Sequence, residues 1–265
     1  MRMGDSGEAG LAAVSAEAII GAGAPSPRLD SPYWTFYERV AAAQVAEWLP
    51  AEPARVLDLS GRTTFAAQLA ELGHEVVHVG AARTDPSAQS RGRLLRVDAD
   101  ASGLGWLRDE SVDAVLAESE VLSMCLAAEV TVDELRRVLR PGGRLLLVVE
   151  SLLLGLARLA DQGRWAELAD VPAADVVLVP TEDGTIRRCF WPEELRRLLA
   201  AADFEVDWVR PRSVLAPAAV ERAIARGGDA ALATLVRTEL AVAQEREGES
   251  AGIHLVASAR RPTRS

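Results

Sequence analysis

Arg55-Val-Leu-Asp-Leu-Ser-Gly-Arg-Thr-Thr-Phe65 has the pattern of a strand that runs into a tight loop and then a helix. Val56 and Leu57 form a short apolar run that stops at Asp58. Phe65, Leu69 and Leu72 then recur at helical spacing, and Gly73 stands where a helix ends. A buried strand followed by a helix whose N-terminus faces the connecting loop makes a cradle for a ligand.

The same alternation continues on both sides of this unit. Residues 32–48 read as an amphipathic helix with Phe36, Val40 and Val45 near one face. Strands are expected at about 55–59, 76–80, 94–97 and 112–117. A helix over 132–139 leads through Pro141-Gly142-Gly143 into a strand at 144–149. Strands and helices alternating at this length predict an α/β fold, with a parallel sheet covered on both faces. Residues 175–179 and 185–190 flank Glu182-Asp183-Gly184, which is a hairpin signal. Strands at 204–209 and 252–259 complete the sheet. The 218–247 segment between them is helical in pattern, with a break at Gly227-Gly228.

Composition limits the partners. The chain has 265 residues, 49% hydrophobic and 26% charged, with a formal net charge of −10 and a pI near 5.0. That balance supports one large core and disfavours nucleic acid, which calls for a basic face. Two cysteines, Cys125 and Cys189, each in apolar company, suggest free thiols in a reducing, cytoplasmic setting. The three histidines and two cysteines show no metal-ligand spacing. The longest apolar stretch, 145–160, is interrupted by Glu150, Ser151 and Arg158 and falls short of the ~20 apolar residues of a membrane span. Residues 1–30, rich in Ala, Gly, Ser and Pro without an early basic cluster, read as a flexible tail rather than a secretory signal. One domain is expected over 31–265, with a hairpin insertion near 175–190 and a helical cap near 217–247.

The segment around Asp58 resembles motif I of the class I S-adenosylmethionine-dependent methyltransferases, in which such a strand enters Gly-x-Gly-x-Gly. Further segments carry the resemblance: Leu72 to Val79 as the second strand, Val97-Asp98-Ala99 as the third acidic motif, and Ser111 to Leu116 as the fourth strand. Glu134 to Val148, containing Arg-Val-Leu-Arg-Pro-Gly-Gly, resembles the helix, turn and fifth strand; Trp191 to Val206 resembles the next helix and strand. The resemblance implies a Rossmann-like, seven-stranded, mostly parallel sheet with an antiparallel last strand. It also implies S-adenosylmethionine as cofactor and a small-molecule acceptor.

By this resemblance the cofactor would meet Asp58, Ser60, Gly61, Arg62, Thr64, Gly80, Asp98, Ala99 and Glu118. Asp58 matches the family acid, and Asp98 the acid that would meet the adenine amino group. Ser60, Arg62 and Thr64 occupy the three glycine positions. Serine is a mild change, whereas arginine opposes both positive φ and close ligand approach. Gly80 stands where the family carries an acid for the ribose hydroxyls, a loss on the order of 1 to 3 kcal/mol if they go unpaired in a dry pocket. Tyr33, Tyr37, Ser119, Glu120 and Glu150 would line the acceptor pocket, with Glu118 or Glu120 as a base or a partner for a cationic acceptor. Plainer roles stand beside these: Asp58 as a helix cap, the 118–120 cluster as a solvated helix start, and the tyrosines as core. His78 and His254 lie within strands, and His74 is expected in a surface turn. Three functions stay open: a methyltransferase with an atypical cofactor loop, a binding or regulatory protein of the same fold without the cofactor, and a pocket retuned for another anion. Oligomeric state is open as well.

Overall fold

The structure, a computed structural model, describes residues 31–61, 63–80, 94–101, 103–118, 120–181 and 183–263, with Thr63 and Thr64 described in backbone only. The expected tail at 1–30, together with Arg62 and Ser119, lies outside the described residues.

Helix α1 (Pro32–Trp48) starts where Ser31 Oγ accepts the Trp34 N–H, with proline at the first helical position. Strand β1 (Arg55–Asp58) and helix α2 (Thr63–Glu71) flank the motif I loop. Gly73, at φ 97°, closes α2, and the His74 N–H returns to the Leu69 carbonyl. Leu72 therefore falls past the helix and is exposed. His74, expected at a surface turn, is buried instead, because its Nδ1 accepts the Ala54 N–H entering β1. The chain continues through β2 (Glu75–Val79), β3 (Leu94–Val97), β4 (Val112–Ala117), α3 (Val121–Met124) and α4 (Ala128–Val138). Next come β5 (Leu139–Glu150), α5 (Leu152–Asp161), α6 (Trp165–Asp170), β6 (Val177–Pro180) and β7 (Ile186–Cys189). Helix α7 (Pro192–Ala201), β8 (Glu205–Arg212), α8 (Pro217–Glu245) and β9 (His254–Arg260) finish the fold.

Seven strands form one sheet in the order β3-β2-β1-β4-β5-β9-β8. β9 runs antiparallel between β5 and β8, and the remaining pairings are parallel. The sheet expected from sequence is thus the sheet observed. Odd-numbered residues such as Leu57, Val77, Val115, Leu145 and Leu147 pack with Val132, Leu135, Leu195 and Leu199 on one face. Their even-numbered neighbours Val56, Val76, Leu116 and Leu146 pack with Val45, Trp48, Phe65 and Leu69 on the other. Burial on both faces explains why these strands read as continuous apolar runs. A slip of one residue would exchange the two faces.

Pro141-Gly142-Gly143 is not a turn before β5 but an irregularity inside it. Val112 pairs with Leu139 and Ala114 with Arg144, so the extra residues bulge out. The β6–β7 hairpin forms its own two-stranded sheet over α5, with Leu152, Leu159, Val177, Val179 and Cys189 buried together. Helix α8 is kinked at Gly228 (φ 54°, ψ −142°) and lays Val220 and Leu232 against Tyr33, Trp34, Phe36 and Val40 of α1. Among the described residues no helix is long and apolar enough to cross a membrane.

Gly252 lies directly against the Arg212 backbone: a Cβ there would sit 2.8 Å from the Arg212 nitrogen and still closer to its carbonyl oxygen. Gly252→Ala should therefore destabilise the fold by about 1–3 kcal/mol, read as a lower urea midpoint. Gly103→Ala, with nothing within 4 Å of its Cβ, should leave that midpoint unchanged.

Candidate functional site

The carboxyl ends of β1, β2 and β3 carry the cradle. Asp58 ends β1 fully buried: its Oδ1 accepts the Ser60 N–H at 2.9 Å, and its Oδ2 lies 2.8 Å from His78 Nδ1. The register places Asp58 directly beside His78 on β2, so both contacts follow from the strand pairing. Asp58 thus fixes where the chain turns into the loop, and Gly61 (φ 65°) occupies a backbone conformation suited to glycine. Thr64 contributes backbone to the first turn of α2. Gly80 follows β2, its N–H donated to the Val97 carbonyl. A Cβ on Gly80 would lie 3.1 Å from His78 Nε2 and 3.6 Å from Gly61 Cα, so imidazole fills the space behind the position expected to carry an acid. Asp98 is exposed past the end of β3, and Ala99 packs partly against the core.

A second group lies where β4 and β5 end. Arg212, with no exposed surface, donates to Glu118 at 2.7 and 2.8 Å and to Gln44 Oε1 at 2.7 Å. Its guanidinium stands 5.4 Å from the Tyr37 ring. The Tyr37 hydroxyl is 3.5 Å from His254 Nδ1, and His254 Nε2 lies 3.7 Å from Glu120 Oε1, beyond hydrogen-bond range. Tyr33 donates to Ser213 Oγ at 3.0 Å, and burial pushes its phenol up to about 12. Glu239 of α8 accepts the Val214 and Leu215 N–H groups, holding the chain as it leaves β8. Glu150, at the end of β5, pairs with buried Arg158, and the Cys189 thiol lies 3.9 Å from its Oε2. Burial, with Glu150 as the next cause, drives that thiol well above its usual range, which makes it a poor nucleophile.

Glu118 and Glu120 separate here. Glu118 is spent on Arg212, whereas the Glu120 carboxyl has no hydrogen-bond partner among the described residues and sits on backbone with φ 50°. Burial, with Glu150 and Glu118 adding negative charge, raises Glu120 to about 8. Burial also lowers His254 to about 3, keeping its imidazole neutral. Sequence reasoning named Glu118, Glu120, Glu150 and Tyr37 and set His254 aside as a strand residue, but it missed Arg212, which binds Glu118, Gln44, which accepts from Arg212, and Arg158, which binds Glu150. A Pro-Arg pair closing a strand that mixes charged and apolar residues gives no sign of the carboxylate it will meet. Among the described residues no group of His, Cys, Asp or Glu could hold a metal ion.

Comparison with known proteins agrees with this architecture. Residues 57–147 match the family described as methyltransferase domain. A structure of an S-adenosylmethionine-dependent methyltransferase from Methanosarcina mazei is 22% identical, with a TM-score of 0.53 over 83% of this chain and 98% of that one. The 1,6-didemethyltoxoflavin-N1-methyltransferase of Burkholderia thailandensis, solved with its acceptor and S-adenosylhomocysteine, is 18% identical, with a TM-score of 0.54 over 99% of this chain and 93% of that one. The [4+2]-cyclase SpnF is 21% identical, with a TM-score of 0.50 over 85% of this chain and 82% of that one. No curated protein matches the sequence. Sheet order, the match over 57–147 and these neighbours together give this chain the fold of the class I S-adenosylmethionine-dependent methyltransferases.

Two measurements test the site's electrostatics. Arg212→Met strands Glu118 in the interior and should cost about 3–5 kcal/mol in urea unfolding, much of it recovered when Glu118→Leu is added. In the folded chain Glu120 keeps a proton that its unfolded counterpart, at 4.5, releases; stability should fall as pH rises from 4.5 to about 8. His254, lowered from 6.5, acts in the opposite sense below 6.5. Between 6.5 and 8 the Glu120 effect is therefore the one left of these two, and Glu120→Gln should flatten the decline there.

Proposed function

We propose that this protein is an S-adenosylmethionine-dependent methyltransferase acting on a small-molecule acceptor through an atypical cofactor loop. The observation that carries this reading is the motif I turn, held by the buried Asp58 carboxylate at Ser60 with Gly61 left in a positive-φ conformation. Both Asp58 oxygens are used internally, so this acid serves the cofactor by shaping the loop. In this reading Asp98, exposed beyond β3, accepts from the adenine amino group. The bound cofactor would supply a methyl group on a sulfonium centre; the protein's task is to hold acceptor and sulfur in line and exclude water.

Glu120 is the proton acceptor in this reading. Glu118 is neutralised by Arg212, and Glu120, raised to about 8, matches the pH at which a carboxylate works well as a base. A hydroxyl or amine losing its proton as the methyl arrives would pass it to that carboxylate. The fold alone does not assign the chemistry, since a [4+2]-cyclase shares it. One observation favours a protein of this fold without the cofactor: at Gly80 an imidazole, not a carboxylate, stands next to the ribose position.

Titration calorimetry with S-adenosylmethionine and S-adenosylhomocysteine separates these readings. Micromolar binding is expected, and Asp58→Asn should weaken it roughly tenfold while the protein stays folded. Absence of heat at millimolar ligand would sink the methyltransferase reading. Once an acceptor is in hand, kcat/KM should climb with pH and level off near 8, and Glu120→Gln should remove that climb.

A further inference from the structure

A pocket of about 340 Å³ opens between the end of α3 and the β6–β7 hairpin, lined by Met124, Leu126, Thr185, Ile186 and Arg187. Its place follows from the fold. Helix α3 begins directly after Glu120, beyond the carboxyl end of β4, and the strand after the hairpin turn leads to Phe190, which bridges to Ser151 just past β5. The pocket therefore lies at the edge of the sheet from which an acceptor would approach. Met124, Leu126 and Ile186 are 49%, 63% and 44% exposed, an apolar surface that nothing among the described residues covers.

Arg187 does not fit a purely structural account. Its neighbour Arg188 is tied to Glu129 and Glu194, and Arg158 to Glu150. The Arg187 side chain makes no hydrogen bond or ion pair among the described residues; its Nε is buried without a partner, as is that of Arg158, but Arg158 has Glu150 on its other nitrogens and Arg187 has no such carboxylate. Its charge is felt at Glu120 and at Asp183 of the hairpin turn, but neither carboxylate binds it. A buried N–H group left unpaired is costly unless something else satisfies it.

We propose that this pocket is a binding site for a small molecule with a flat apolar body and a carboxylate, the body lying on Met124, Leu126 and Ile186 and the carboxylate meeting Arg187. That the ligand is the methyl acceptor rests on the methyltransferase reading; the site itself does not. Guanidinium and carboxylate form paired hydrogen bonds with a geometry that a neutral group cannot match.

The test uses the full chain with no nucleoside present, titrating 2-naphthoate and its neutral counterpart 2-naphthylmethanol, followed by ligand-observed NMR and calorimetry. Naphthoate is expected to bind roughly tenfold or more tighter than the alcohol. Arg187→Gln should erase that difference, and Ile186→Ser should weaken both ligands together. Equal affinity for the two ligands, a preference that survives Arg187→Gln, or no saturable binding by either would overturn the proposal. S-adenosylhomocysteine, titrated separately, reports on the cofactor cradle. Failure there would leave an aryl-carboxylate site intact and remove its role as acceptor site, so the two outcomes stay distinct.

Discussion

The pair between Arg212 and Glu118 is shielded from solvent, and it ties together parts of the chain that meet nowhere else in sequence. Arg212 ends β8, Glu118 follows β4, Gln44 and Tyr37 belong to α1, and His254 starts β9. Removing two charges from water costs more than their attraction returns unless the geometry is good and the remaining N–H groups are satisfied. Here two parallel bonds to Glu118 and one to Gln44 supply that satisfaction. The result is a leading helix fastened to the carboxyl edge of the sheet, which turns a bare parallel sheet into a bounded site. It also divides the labour of two neighbouring acids, leaving Glu118 as an anchor and Glu120 as the carboxyl with chemical freedom.

The parallel core was readable because burial on both faces writes itself as short apolar runs, such as Val56-Leu57 and Val76-Val77, set between helical periods. The break in α8 was readable at Gly227-Gly228 for a similarly local reason. What stayed hidden was long-range. His74 looked like a turn residue because its partner, the Ala54 N–H, belongs to the strand entry twenty residues earlier. Pro141-Gly142-Gly143 looked like a turn because a bulge and a turn use the same residues, and the partner strand decides between them. The Asp58–His78 contact needed the register of β1 against β2, although each residue was visible by itself. In the site, identities of the acids could be read, but not which of them would be neutralised, since Arg212 lies nearly a hundred positions away from Glu118.

The loop after β1 shows how a motif can change letters while keeping part of its physics. Gly80 at the end of β2 frees room, and His78, oriented by Asp58, occupies the space behind it. The loop still turns on Asp58 and Gly61. Structures sharing this fold include both methyl-transferring enzymes and a cyclase, so the decisive chemistry resides in such local exchanges rather than in the sheet.

The β6–β7 hairpin belongs to a different sheet from the main seven strands, and its buried side rests on α5 through contacts as close as that of Gly155 with Cys189. Its outward residues, Thr185 to Arg187, therefore carry little of the burden of folding. Side chains there can be exchanged, one after another, while the register of the central strands is left undisturbed. The molecule is in this sense a fixed chassis with an exchangeable mouth.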